Sequence, residues 1–176
     1  KDMRSWQEAG RSLYRIRGPV VGALFVNQFV HLEGEPRFDA WVKGIDGDAA
    51  VLETLRDHTQ SKHNIWGITA RNREQNFALN ALMNPEIDFV SLLGQAGAGK
   101  TLLTVAAGLM QTLETKLYSE IIFTRVTVPV GEDIGYLPGN EEEKMNPWMG
   151  ALDDNLEVLS RSDGGAGEWG RAATND

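Results

Sequence analysis

Two hydrophobic periodicities divide this chain. From residue 12 to about residue 55 apolar and polar positions alternate, as they do in half-buried strands. Ser12-Leu13-Tyr14-Arg15-Ile16-Arg17 alternates and stops at Gly18-Pro19, and Leu24, Val26, Val30 and Leu32 share one face of a longer strand that ends near Gly34 and Pro36. Residues 38–45 and 49–55 flank Asp46-Gly47, a two-residue hairpin signal. The pattern predicts a small antiparallel β module over 12–58, with a polar linker at 1–11.

Beyond this module the period lengthens. Residues 56–66 form a polar connection. Residues 72–83 have helical spacing, with Phe77, Ala78, Ala81 and Leu82 on one side, and Asn84-Pro85 closes the helix because proline cannot continue it. Ile87-Asp88-Phe89-Val90-Ser91-Leu92-Leu93 is mostly apolar and reads as a buried parallel strand. Leu102, Leu103, Val105, Ala106, Leu109, Met110 and Leu113 give a helix with a broad apolar face. Glu120-Ile121-Ile122-Phe123-Thr124 reads as the next strand. Further on, Asn146-Pro147 resembles an N-cap followed by proline at the first helical position. Trp148, Leu152, Leu156 and Leu159 then form a stripe suited to core packing or, as a second choice, a subunit interface. Residues 161–176 read as a flexible tail.

Between the first expected strand of that second region and its helix lies Gly94-Gln95-Ala96-Gly97-Ala98-Gly99-Lys100-Thr101. The spacing is G-x-x-x-x-G-K-[ST], a phosphate-binding loop. Glycines let the backbone curl so that its N–H groups form an anion nest, and the helix beginning beside Lys100 adds its positive end. Lys100 reaches the β- and γ-phosphates of a nucleotide in this reading, while Thr101 offers its hydroxyl to Mg²⁺. Residues 94–101, with Leu102 just behind them, are therefore the expected nucleotide contacts, and ATP with Mg²⁺ the expected ligands. Strand, glycine loop, helix and strand in this order predict an α/β P-loop NTPase fold, a parallel sheet in three αβα layers, with its N-terminal part at 59–160.

Composition narrows the picture modestly. Of 176 residues 41% are hydrophobic and 24% charged, enough for a core. A net charge of −8 argues against general attraction to nucleic acid, though not against a local basic groove. The absence of cysteine excludes disulfides and thiolate metal sites; no apolar run reaches membrane-spanning length, and a cytoplasmic ATP user is the natural expectation. An NTPase also needs an acidic residue at the end of an apolar strand, to order Mg²⁺ and water. Asp153-Asp154 follows helix-like spacing, and Phe123 leads into Thr124-Arg125. The chain thus reads as truncated before that acid, and as inactive in hydrolysis by itself.

Thr69-Ala70-Arg71-Asn72-Arg73-Glu74-Gln75 ahead of the glycine loop is similar to the PhoH-like ATPases. So is the run from Thr124-Arg125-Val126-Thr127 through Gly135-Tyr136-Leu137-Pro138-Gly139 and on to Glu143-Lys144-Met145-Asn146-Pro147-Trp148. Two positions depart: Val126 stands where the family usually has proline, and Asn140 where it commonly has aspartate. The β module resembles the connector of longer members, in which a PIN-type ribonuclease domain precedes the ATPase. The resemblance implies an ATP-dependent RNA helicase related to superfamily 1, often assembled as a homo-oligomeric, even hexameric, ring. It gives Gln75 the part of the adenine-recognising glutamine, where an exposed helix residue is the plain alternative. Arg125, at a strand end, is a possible phosphate or RNA contact or a surface ion pair.

Other candidates are weaker. His31, His58 and His63 lack ligand spacing, Asp46-Gly47-Asp48 fits a hairpin better than a calcium loop, and Glu141-Glu142-Glu143 suits a helix start. Arg11, Arg15, Arg17, Lys62, Arg71 and Arg73, with Tyr14 and Trp66, could edge an RNA groove or be dispersed surface charge. A non-enzymatic module with an idle loop, docking RNA or a partner, is the rival reading. A small-molecule kinase shares the loop but leaves residues 135–148 unexplained.

Overall fold

Alternation in the first part of the chain is realised as a five-stranded antiparallel sheet, whose spatial order is β1-β2-β5-β4-β3 in the computed structural model. Its strands are β1 (Met3–Glu8), β2 (Arg11–Arg17), β3 (Phe29–Leu32), β4 (Phe38–Asp46) and β5 (Ala49–Thr54). Residues 3–8, 10–34, 37–124 and 157 are described. The expected features at 125–156 and 158–176, including Arg125, the Trp148 stripe and the tail, lie outside them. The chain divides into two units, Lys1–Asp57 and His58–Asp176.

Cross-strand register sorts the first unit's residues onto two faces. Tyr14 lies opposite Leu52 and Leu52 opposite Val42, so these three share a face with Ile16, Ala40 and Val30. That face is the apolar core: Ala40, Val42 and Leu52 are buried, with Tyr14, Ile16, Leu24, Val30 and Phe38 packed against them. The other face carries Leu13, Trp41 and Glu53 in one row across three strands. Gly47 adopts a φ of +58° in the two-residue loop that pairs Asp46 with Ala49, so the turn residues are Gly47-Asp48, one position later than expected.

Two expectations change here. Residues 3–8 are a strand rather than linker, because each pairs with β2 from Met3–Ile16 to Glu8–Arg11. Their side chains are exposed, which is why polar composition suggested a linker. The long strand expected through Leu24 and Val26 is also broken. Pro19–Ala23 forms a 3-10 turn, Asn27 takes a left-handed φ of +68°, and only Phe29–Leu32 remains in the sheet.

The second unit is helical among the described residues. Asn72 caps α1 (Arg73–Leu82), its side-chain oxygen accepting from the Gln75 N–H at 2.9 Å. Helix α2 (Lys100–Leu109) continues into a wider π turn at Met110–Glu114. Leu79, Leu103, Val105, Ala106 and Ala107 form a buried cluster with Ile65 and Ala70. Phe77 lies outside that cluster, because the inward face of α1 is centred on Asn76 and Leu79.

The parallel sheet expected in this unit is not formed by the described residues. Residues 87–93 and 120–124 carry no ladder, and Phe89 and Leu93 are 85% and 94% exposed. An apolar segment becomes a strand only by pairing along an edge, and neither segment forms a ladder with a strand of the described residues. No helix among the described residues is long and apolar enough to cross a membrane.

Candidate nucleotide site

Helix α2 begins without any side-chain cap, and the loop ahead of it turns through the left-handed region twice, with Gly97 at φ +78° and Gly99 at +85°. A residue with a Cβ pays about 1–2 kcal/mol for that conformation, which explains glycine at both places. Leu103 N–H makes the first bond of the helical ladder, to the Gly99 carbonyl at 2.9 Å. The amides of Lys100, Thr101 and Leu102 precede that ladder, so they form the electropositive end of the helix. The loop residues 94–98 are exposed, as an anion site must be.

Lys100 Nζ donates to the carbonyls of Gly94 at 2.9 Å and Gln95 at 2.8 Å. The ammonium is therefore folded over the loop rather than extended into water. An ammonium has three donors, so one is left for an anion after these two bonds. Thr101 is exposed in the first turn of α2, while Thr104 one turn later donates its hydroxyl to the Lys100 carbonyl at 2.9 Å. A nest of amides, a lysine held at its centre and an exposed threonine beside it fit a magnesium-bound nucleotide triphosphate. The Leu102 side chain is committed to the apolar cluster, so its part in any binding is its backbone N–H.

Helix α1 supports the loop from the side. Gln75 Nε2 donates to the Ala98 carbonyl at 3.2 Å, and Gln75 Oε1 accepts from the Arg71 N–H at 2.8 Å. At the other end Gln111 Nε2 donates to the Leu82 carbonyl at 3.2 Å. The start of α1 thus meets the loop before α2, and its end meets the end of α2, so the helices run side by side in one direction. Asn76 anchors the same helix inside the unit by accepting from the His58 N–H at 2.8 Å.

The structure brings together Gln75, Gly94, Gln95, Ala98, Gly99 and Lys100 through these bonds and the approach of Gly99 to Gln75. Ala96 and Gly97 complete the turn between them. Sequence reasoning missed the support beneath the loop. Its signal was present, since Asn72 with Gln75 three residues on is close to a capping box.

Of the two readings of the basic residues, a groove edge or dispersed surface charge, the ion pairs of the first unit fit the second. Arg11 pairs with Glu53, Arg15 with Asp46 at 3.3 Å and Arg17 with Asp48 at 3.9 Å. Tyr14 meets Phe38 edge-on with ring centres 5.5 Å apart, and Trp66 packs against the core of the second unit. Glu53 is the buried member of this set and also accepts from Lys43, the extra residue at a bulge in β4, at 2.9 Å. Burial alone raises a carboxyl pKa, but the hydrogen bonds and charges of Arg11 and Lys43 outweigh it and hold Glu53 below the usual range.

Residues 67–165 match the family model described as "PhoH-like protein". The chain is 44% identical to "Protein PhoH2" of Bacillus subtilis (strain 168) over 138 residues, 78% of this chain and 30% of that protein. It is 42% identical over 97 residues to "Protein PhoH2" of Mycolicibacterium smegmatis, 54% of this chain and 22% of that one. A "PhoH-like protein" of Bacillus subtilis is 38% identical over 76 residues, 43% of this chain and 24% of the relative. The chain thus spans less than a third of the length of these relatives. No solved structure is significantly similar to it.

Proposed function

This chain belongs to the PhoH-like protein family, and on that premise we propose that residues 94–102 hold MgATP for an ATPase acting on RNA. Membership implies a P-loop fold and a nucleotide-binding, ATPase-type function. The single observation that carries the local assignment is Lys100, whose ammonium is bonded to the Gly94 and Gln95 carbonyls at the mouth of α2. From there it turns to the β- and γ-phosphates, the loop amides take the remaining oxygens, and the Thr101 hydroxyl is a ligand for Mg²⁺. The metal supplies neutralisation of phosphate charge when bound.

RNA as the polymer acted on, helicase activity, a ring of copies and an upstream PIN-type ribonuclease domain complete the proposal. They are supported by the resemblance of Gly135-Tyr136-Leu137-Pro138-Gly139 and its flanks, and by that of the β module to a connector. With Arg11, Arg15 and Arg17 already paired in the first unit, RNA contact is assigned to the ATPase part, with Arg125 as a candidate. The test is phosphate release from ATP, with and without single-stranded RNA, by a protein of the full length of its PhoH2 relatives that contains this chain. RNA-stimulated release that Lys100→Ala abolishes is the expected result. ATP binding with no release under either condition would instead favour a binding module with an idle loop.

A further inference from the structure

We infer that β1 is a pairing edge for a second copy of this chain, joined two-fold and antiparallel about Trp6. Among the described residues the sheet ends at β1, and all six residues of that strand are exposed. Its ladder with β2 runs from Met3–Ile16 to Glu8–Arg11 without a shift in register. An exposed edge is usually blunted by lysine, proline, a bulge or shortness, and Met3–Glu8 has none of these. The opposite edge differs: β3 has four residues, and the chain takes a positive φ on either side of it, at Asn27 and Gly34. The open row of backbone groups is thus at β1. The closing pair of a two-residue loop, here Glu8 and Arg11, is a hydrogen-bonded one, and bonded pairs alternate along an antiparallel ladder. By that alternation the N–H and C=O groups of Met3, Ser5 and Gln7 face away from β2.

The side chains choose the register. With two copies of β1 antiparallel about a two-fold axis at Trp6, Arg4 lies opposite Glu8 of the second copy, Ser5 opposite its Gln7, and Trp6 opposite its own counterpart. The outward groups of Ser5 and Gln7 then exchange backbone hydrogen bonds, and the two Trp6 rings meet at a non-bonded pair, where side chains stand closest. An axis at Arg4 or Glu8 would oppose like charges, and one at Ser5 or Gln7 would leave both residues without an opposite charge. Among the described residues neither Arg4 nor Glu8 has an ion pair, whereas Arg11, Arg15 and Arg17 on the next strand all do. In its own ladder Arg4 faces Arg15, a like charge, and Glu8 faces Arg11, which is already paired with Glu53. Trp6, 39% exposed, lies on the face that carries Leu13, Glu53 and Trp41, so the two rings extend that row across both copies. Such a contact closes on itself and gives a dimer with one continuous sheet, independent of the ring proposed for the ATPase part.

Sedimentation velocity over a concentration series tests this on the unmodified protein, Arg4→Glu, Glu8→Arg and an equal mixture of the two variants. The unmodified protein is expected to dimerise reversibly. Each variant alone opposes like charges across the axis and should associate roughly tenfold more weakly. Their mixture opposes unlike charges at both places and should recover the dimer, which misfolding of either variant could not produce. The chain has no cysteine, so Trp6→Cys introduces a lone thiol that should cross-link two copies under mild oxidation. Ser5→Cys, which faces Gln7 of the other copy, should cross-link far less. Absence of a dimer at about 1 mM, or a dimer that neither variant weakens, would overturn the inference. So would slow hydrogen exchange at the Ser5 and Gln7 amides in monomeric protein, since another segment would then hold the edge.

Discussion

Glu53 is enclosed on one face of the sheet, with Arg11 and Lys43 donating to its two oxygens. Its folded pKa lies below the ordinary value of 4.5, so folding favours the charged form. The resulting stability is fully present above the unfolded pKa and is lost as pH falls through the folded one. Unfolding followed from pH 7 down to pH 3 should therefore show a drop below about 4.5 that Glu53→Gln removes. At pH 7 the same variant should be less stable by roughly 1–3 kcal/mol. Identical pH profiles for the two proteins would show that the buried carboxylate is not the group being titrated. This pairing was not legible in the sequence, because Arg11 and Glu53 lie 42 positions apart and meet only through β2–β5 register. The same register turns Arg15 toward Asp46, 31 positions away, a pairing equally hidden from the sequence. By contrast the turn at Gly99 and the start of α2 at Lys100 were legible, since both rest on spacing within one turn.

Elements made by local bonds were the ones the sequence foretold best. Helix α1 ends near Asn84-Pro85 as expected, and Asn72 caps its start. Replacing Asn72 with alanine should cost about 1 kcal/mol, measured by chemical unfolding, and should free the Gln75 N–H from its partner. No change in stability would mean that water serves the first turn equally well. Helix α2 begins at Lys100 as the loop motif requires, yet its last turn widens to π geometry, with the Gln111 side chain donating to the Ala107 and Leu82 carbonyls. That widening depends on a neighbour, α1, and a single period cannot announce it. Strands depend on neighbours altogether. Residues 87–93 have the composition of a buried strand, but composition supplies no ladder partner. In the other direction, Met3–Glu8 lacks an apolar pattern and is a strand because β2 provides one.

At the scale of the molecule, the chain divides into an antiparallel sheet unit and a helical unit that carries the phosphate loop. The boundary falls between Asp57 and His58, where the alternating pattern gives way to the helical one. The family was legible from the loop together with the Gly135–Gly139 element, because both are short motifs with fixed spacing, and the match over residues 67–165 agrees with it. The nucleotide site proposed for the second unit is built around Lys100. Titration calorimetry of MgATP into the protein and into Lys100→Ala tests it most directly. Saturable binding to the unmodified protein is expected, with a loss of roughly one to two orders of magnitude in affinity in the variant and its unfolding transition intact. Equal affinity in the two, or no binding by the folded, unmodified protein, would contradict it.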